Sequence, residues 1–163
     1  MKKIYLVRHA KSSWDNSSLG DIDRPLSQRG RKAAPMMGHR LAERGVSVDL
    51  IISSPANRAR STAEYIARAV GYDIDAIEIN NLIYFEGAST MLDVIQQTSE
   101  DIQSLMMVGH NPDMSSLFHT LSDSRGMDMP TCAVASLEFD GEWSELEQNS
   151  AELIEYDFPK NER

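Results

Sequence analysis

The chain of 163 residues holds a single cysteine, Cys132. An intramolecular disulfide is therefore excluded, and a reduced thiol in a reducing compartment is the expectation. A Cys/His cluster of the kind that binds zinc is also missing. No apolar run reaches membrane-spanning length, and Ile4 to Val7 is too short to be the apolar region of a signal peptide, so a cytoplasmic protein is expected. Positive charge is the scarcer sign: 16 Lys and Arg face 25 Asp and Glu, for a formal net charge of -9. That balance argues against general binding to nucleic acid or to an anionic membrane, which needs a basic face, while leaving room for a small basic pocket. Internal repeats, low-complexity tracts and linkers are absent. With 41% hydrophobic and 25% charged residues, residues 1–163 are expected to form one soluble domain.

What is present alternates between two periods. Ile4 to Val7 reads as a strand, and Val48 to Pro55 as a second one ending in turn residues. Between them, residues 27–44 carry Ala34, Met37 and Leu41 at helical spacing, with Gly45 as a stop. Pro35 lies inside that pattern, so the helix either starts late or kinks there. Ala59, Thr62, Ala63, Ile66 and Ala69 mark one face of a helix closing before Gly71. Ile77 to Ile79 is a weaker strand, and Ser89 is placed to cap a helix carrying Met91, Leu92, Val94 and Ile95. Ser104 to Pro112 is a continuous apolar strand broken by Gly109, followed by a short helix with Met114, Leu117, Phe118 and Leu121 inward. The last third changes to strands, one meeting an Asp140-Gly141 turn and one in "AELIEYDF". The order predicts a three-layer α/β/α sandwich, its central sheet mostly parallel with an antiparallel edge.

Three basic sites each follow a strand: Arg8 and His9 after the first, Arg58 after the second, His110 after "LMMVG". The carboxyl ends of parallel strands line one edge, where ligands bind. Two arginines and two histidines there form a cationic cup in an acidic chain. Such a cup suits a phosphoryl group, because guanidinium forks match its oxygens and a neutral imidazole offers a nucleophilic lone pair. Neighbouring arginines are expected to lower the His9 pKa. His39 and His119 lie within helical patterns and read as structural or solvated, and Arg60 and Arg68 as the wet face of their helix.

"LVRHA" at 6–10, "SSPANRARST" at 53–62 and "VGHNP" at 108–112 resemble the histidine phosphatase, or phosphoglycerate-mutase-like, superfamily. The likeness covers nearly the whole chain, including "DRPLSQRG" at 23–30, and the compact length resembles the small SixA-type phosphohistidine phosphatases. The resemblance implies that His9 attacks phosphorus and becomes a phosphohistidine. It implies that Arg8 and Arg58 bind the phosphoryl oxygens and that His110 donates a further hydrogen bond. Neither metal nor other cofactor is expected, since the arginines already supply positive charge. The expected partner is a protein phosphohistidine, with a small phosphorylated metabolite or a non-catalytic phosphate-binding role as alternatives.

Two positions depart from the family pattern. Trp14-Asp15 stands where mutases have Trp-Asn, and an anionic Asp15 is not assigned as a ligand. The register of the family's leucine-x-glutamate acid gives Leu82, Ile83 and Tyr84, with Glu86 two residues on. Glu86 is either a shifted general acid or a solvated loop carboxylate. Asp21 and Asp23 read as salt-bridge or turn residues near Arg24.

Overall fold

The computed structural model describes residues 1–124 and 126–161. Six strands, β1 (Lys2–Arg8), β2 (Leu50–Ser53), β3 (Glu78–Ile79), β4 (Ser104–Gly109), β5 (Val134–Phe139) and β6 (Glu152–Asp157), form one sheet. Their spatial order is β3-β2-β4-β1-β5-β6. The first four in that order are parallel, and β5 and β6 add an antiparallel edge. The helices are α1 (Gln28–Glu43), α2 (Asn57–Val70), α3 (Ala88–Gln96) and α4 (Asp113–Ser122).

Alternation along the strands builds the layers. In β1, Tyr5 and Val7 join a core with Ala34, Met37 and Leu41 of α1 and Ala59, Ala63 and Ile66 of α2. Ile4 and Leu6 face the other way, toward Met91 and Ile95 of α3 and Leu117, Phe118 and Leu121 of α4. Both faces of the central strands are covered, which is why β4 is buried at every residue and reads as an unbroken apolar run. The predicted sandwich is the observed one.

Local details sharpen the sequence reading. α1 does not start late: Ser27 caps it, accepting from the Gly30 N–H at 3.2 Å, and the helix runs through Pro35. The proline forgoes one helical hydrogen bond, a loss outweighed by the buried face of α1. α1 and α2 approach closely at Gly38, where a Cβ would lie 2.9 Å from the Cβ of Ala69. The cap of α3 differs from expectation. Gly87 occupies the N-cap position, its N–H donating to the Asp113 carboxylate at 3.0 Å, and Ser89 lies inside the helix. Among the described residues no helix is long and apolar enough to cross a membrane.

Candidate active site

β2, β4 and β1 are neighbours at the centre of the sheet, and all three end at the same edge. Arg8 closes β1 opposite Gly109 of β4, and the His9 N–H continues the ladder to the Gly109 carbonyl at 3.0 Å. His110 is the next residue of β4's exit, and Arg58 is the second residue of α2, which leaves β2 through Ser54 and Pro55. The four residues singled out in the sequence are brought together, with the His9 and His110 ring centroids 5.1 Å apart.

The His9 ring is buried and fixed. Its Nδ1 lies 2.7 Å from the Ala10 carbonyl oxygen, which only accepts, so Nδ1 carries the proton and Nε2 keeps its lone pair. Burial lowers the imidazole pKa to about 4; the Ala10 hydrogen bond opposes this, and the charges of Arg58, Arg8 and Arg24 add to it. The direction matches the sequence expectation, but burial is the larger cause. Thr62 ties this turn to α2, accepting from the Ala10 N–H at 2.9 Å and donating to the Arg58 carbonyl at 2.8 Å. Cys132 donates its N–H to the His9 carbonyl at 3.0 Å, and burial pushes its thiol up to about 12. Gly30 is required beside this loop, since a Cβ there would fall 2.1 Å from the Lys11 carbonyl oxygen.

His110 is buried, with Nε2 2.7 Å from Ser54 Oγ. Ser54 Oγ also accepts from the Ala56 N–H; when its own proton goes to Nε2, the imidazole proton sits on Nδ1. Burial first, then His9 and the arginines, lowers the His110 pKa to about 3. Phe85 stacks on this ring with centroids 4.6 Å apart, from a backbone φ of +58° that bulky residues rarely adopt.

The cup holds one more cation than the sequence reading gave it. Arg24, seen there only as a salt-bridge partner, is 7% exposed and lies under the exposed Trp14 ring at 3.4 Å. Its Nη2 donates to Ser12 Oγ at 2.6 Å, and its Nε is 3.6 Å from Asp21 Oδ1. Asp21 does form the expected ion pair with Arg24, and it also pairs with Arg58 at 2.9 Å and accepts from the Tyr84 hydroxyl at 2.5 Å. Burial raises the Asp21 pKa, but the Tyr84 and Arg58 hydrogen bonds and the arginine charges outweigh it and hold the carboxyl below its ordinary value. The buried "DRP" arginine and the Tyr84 position were visible as residues; their meeting was not.

Arg8, His9, Arg24, Arg58, Asp21, Trp14 and Phe85 share a pocket of about 290 Å³. Glu86 is exposed and does not line it, and Asp15 is likewise exposed and outside it. His39 sits on the surface paired with Glu43, and His119 contacts the Met127 carbonyl; neither lines this pocket, though His119 shares an adjoining cavity with Arg8. Among the described residues no three His, Cys, Asp or Glu side chains are grouped to hold a metal ion. The buried side-chain nitrogens without a hydrogen-bond partner among the described residues are Arg8 Nε, Arg24 Nε and Nη1, Arg58 Nε and His110 Nδ1. All belong to the cup. Buried donors are nearly always paired, so this concentration of open N–H groups describes a socket for an acceptor-rich anion.

Residues 4–83 match the model of the histidine phosphatase superfamily (branch 1). An uncharacterized protein of Mycobacterium tuberculosis is 30% identical over 94% of this chain and all of its own length. A structure from Agrobacterium tumefaciens, assigned as a phosphohistidine phosphatase SixA, is 31% identical, with a TM-score of 0.82 over 97% of this chain and 98% of that one. A Nakamurella multipartita protein with the same assignment is 25% identical, with a TM-score of 0.80 over 98% and 97% of the two chains. With the Arg-His pair closing β1 and these full-length likenesses, the chain belongs to the histidine phosphatase superfamily and is a phosphatase of SixA-like, phosphoglycerate-mutase-like build.

Proposed function

We propose that the protein is a metal-independent phosphatase whose substrate is a phosphohistidine carried on another protein, and that it works through a phosphohistidine of its own at His9. The observation that carries this reading is the set of unpartnered buried donors on Arg8, Arg24, Arg58 and His110 around a neutral His9. In the proposed reaction the His9 Nε2 lone pair forms a bond to phosphorus while the substrate's P–N bond breaks. The substrate's imidazole ring, protonated from solvent at its other nitrogen, keeps that electron pair and departs neutral. Arg8 and Arg58 hold the phosphoryl oxygens, and His110 donates from Nδ1. Water then attacks the phosphoenzyme, releasing phosphate and restoring the Nε2 lone pair. Catalysis rests on positioning and on charge arranged in advance.

The substrate preference follows from proton supply. An alkoxide leaving group needs an acid in the transition state, which typically contributes 10²–10⁴-fold. Imidazole, with a near-neutral pKa, does not. The carboxyl in the pocket, Asp21, is held ionised, Tyr84 gives its proton to Asp21, and Glu86 stands outside. The pocket is also open to solvent past Trp14 and Phe85, both exposed, as a protein-borne group requires.

The test compares kcat/KM on a phosphohistidine peptide and on small phosphomonoesters, in wild type and Glu86→Gln. The phosphohistidine peptide is expected to be the better substrate, with Glu86→Gln changing neither rate beyond about twofold. An ester preferred by the wild type and lost in Glu86→Gln would make this a metabolite phosphatase with Glu86 as its acid. His9→Ala should remove both turnover and acid-labile labelling by a phosphodonor. Turnover at near wild-type rate in that variant would end the covalent mechanism.

A further inference from the structure

A carboxylate in a phosphoryl pocket calls for a reason, because it repels the substrate. Asp21 takes both ends of the Arg58 guanidinium. Its backbone carbonyl accepts from Nη1 at 2.7 Å, and its Oδ2 accepts from Nη2 at 2.9 Å. The third nitrogen, Nε, is the one left buried and unpartnered. Tyr84 Oη donates to the same Oδ2, so the carboxylate that orients Arg58 is itself oriented from a third segment. Asp21 lies in a short 3₁₀ turn, Asp21–Asp23, 37 positions from Arg58 and 63 from Tyr84, so nothing local dictates the contact.

Charge gives a second line. Arg24 and Arg58 flank Asp21, and Arg58 helps to lower the Arg24 pKa, after burial. Two desolvated guanidiniums side by side need a counter-ion. With Arg8, three guanidiniums less one carboxylate leave an excess of positive charge around a neutral His9, and Lys11 lines the same pocket, as a phosphoryl dianion requires.

We propose that Asp21, locked by Tyr84, is a positioning residue that aims the Arg58 guanidinium at the transferring phosphoryl group. The idea rests on the reading of Arg58 as a phosphoryl ligand. It implies an opposition between binding and turnover. The carboxylate weakens ground-state attraction for an oxyanion, yet it fixes the geometry that the transition state uses, and misplaced groups cost rate rather than affinity.

The experiment is a double-mutant cycle with Asp21→Asn and Tyr84→Phe, reading kcat, KM and the inhibition constant of tungstate. Asp21→Asn keeps shape and removes charge; kcat should fall about tenfold or more while tungstate binds as tightly as before or tighter. Tyr84→Phe should lower kcat by about threefold or more in the wild type and by less than about twofold in Asp21→Asn, because it acts through Asp21. A kcat within about twofold of wild type in Asp21→Asn, tungstate binding weakened in step with kcat, or additive single effects would each overturn the proposal. If Asp21→Asn does not fold, Tyr84→Phe alone decides, since lowered kcat with unchanged tungstate binding supports the positioning role and unchanged kcat refutes it. The cycle runs on whichever phosphorylated compound the wild type hydrolyses. A wrong substrate assignment is therefore seen in the wild type, separately from a failure of Asp21.

Discussion

Two clusters of arginine around an aspartate occupy this molecule, and they are built on opposite terms. Where α1 meets the end of β6, the Asp157 carboxylate is fully buried and saturated. It accepts from Arg40 Nη1 at 3.2 Å, Arg44 Nη1 at 3.2 Å, the Phe158 N–H at 2.9 Å and Asn161 Nδ2 at 3.1 Å. At the carboxyl edge of β1, β2 and β4, Arg8, Arg24 and Arg58 surround one half-exposed carboxylate and keep open N–H groups. The first cluster is finished within the chain. The second is completed only by something that arrives. Residue types hardly differ between them; what separates structural charge from functional charge is whether its hydrogen bonds are already made.

Crossed substitutions are the sharpest way to break this contrast. Arg58→Ala is expected to cost about 2.7–4 kcal/mol of transition-state stabilisation, by comparison with the loss of one preorganised donor. Its unfolding midpoint in urea should stay level or rise, because an incompletely bonded buried cation goes with it. Asp157→Ala should do the reverse, lowering stability by about 2–3 kcal/mol through stranded donors, with kcat per folded molecule unchanged. A rate loss below about tenfold for Arg58→Ala, or an Asp157→Ala protein as stable as wild type, would erase the distinction.

Acid separates the clusters next. His9 and His110 titrate near 4 and 3 in the folded protein, below an unfolded value near 6.5. Between those values the unfolded chain binds more protons, so stability rises with pH there and falls as pH drops from about 6.5 toward 3–4. The slope should flatten in His9→Asn and remain in Arg40→Gln, as urea unfolding at several pH values would report. The acid limb of kcat/KM on an acid-stable ester should fall near pH 4, because the proposed nucleophile is a neutral His9. A limb near 6.5 would mean that burial does not govern this ring.

The smallest expected effect is none. EDTA should leave the rate unchanged, since the positive charge comes from guanidiniums. Loss of activity on chelation, restored by magnesium, would show that the open cluster is completed by a cation as well as by substrate.

The sequence carried the frame of this arrangement well. Each of β1, β2 and β4 is an apolar run that stops in polar turn residues, and period-2 runs between period-3.6 segments leave little freedom in how the layers stack. Arg8, His9, Arg58 and His110 were legible because each sits within a few residues of such a stop. Asp21 and Tyr84 were not, since their contact joins a 3₁₀ turn to a loop on the far side of α2, and no spacing encodes it. Arg24 was hidden for a related reason: its burial comes from Trp14 folding over it. The start of α3 was misread because Gly87, held by Asp113 of α4, has no side chain of its own to announce a cap.

The thiol beside His9 has a consequence outside phosphate chemistry. Cys132 grips the His9 carbonyl through its backbone, while its sulfur is fully buried with a pKa pushed up to about 12. Alkylating reagents and peroxide react with thiolates, and at neutral pH almost none exists here. On the mechanism proposed for His9, such reagents are expected to leave turnover unchanged, where a phosphatase with a cysteine nucleophile would be silenced. In a mixed extract, the activity that survives iodoacetamide would include this protein's.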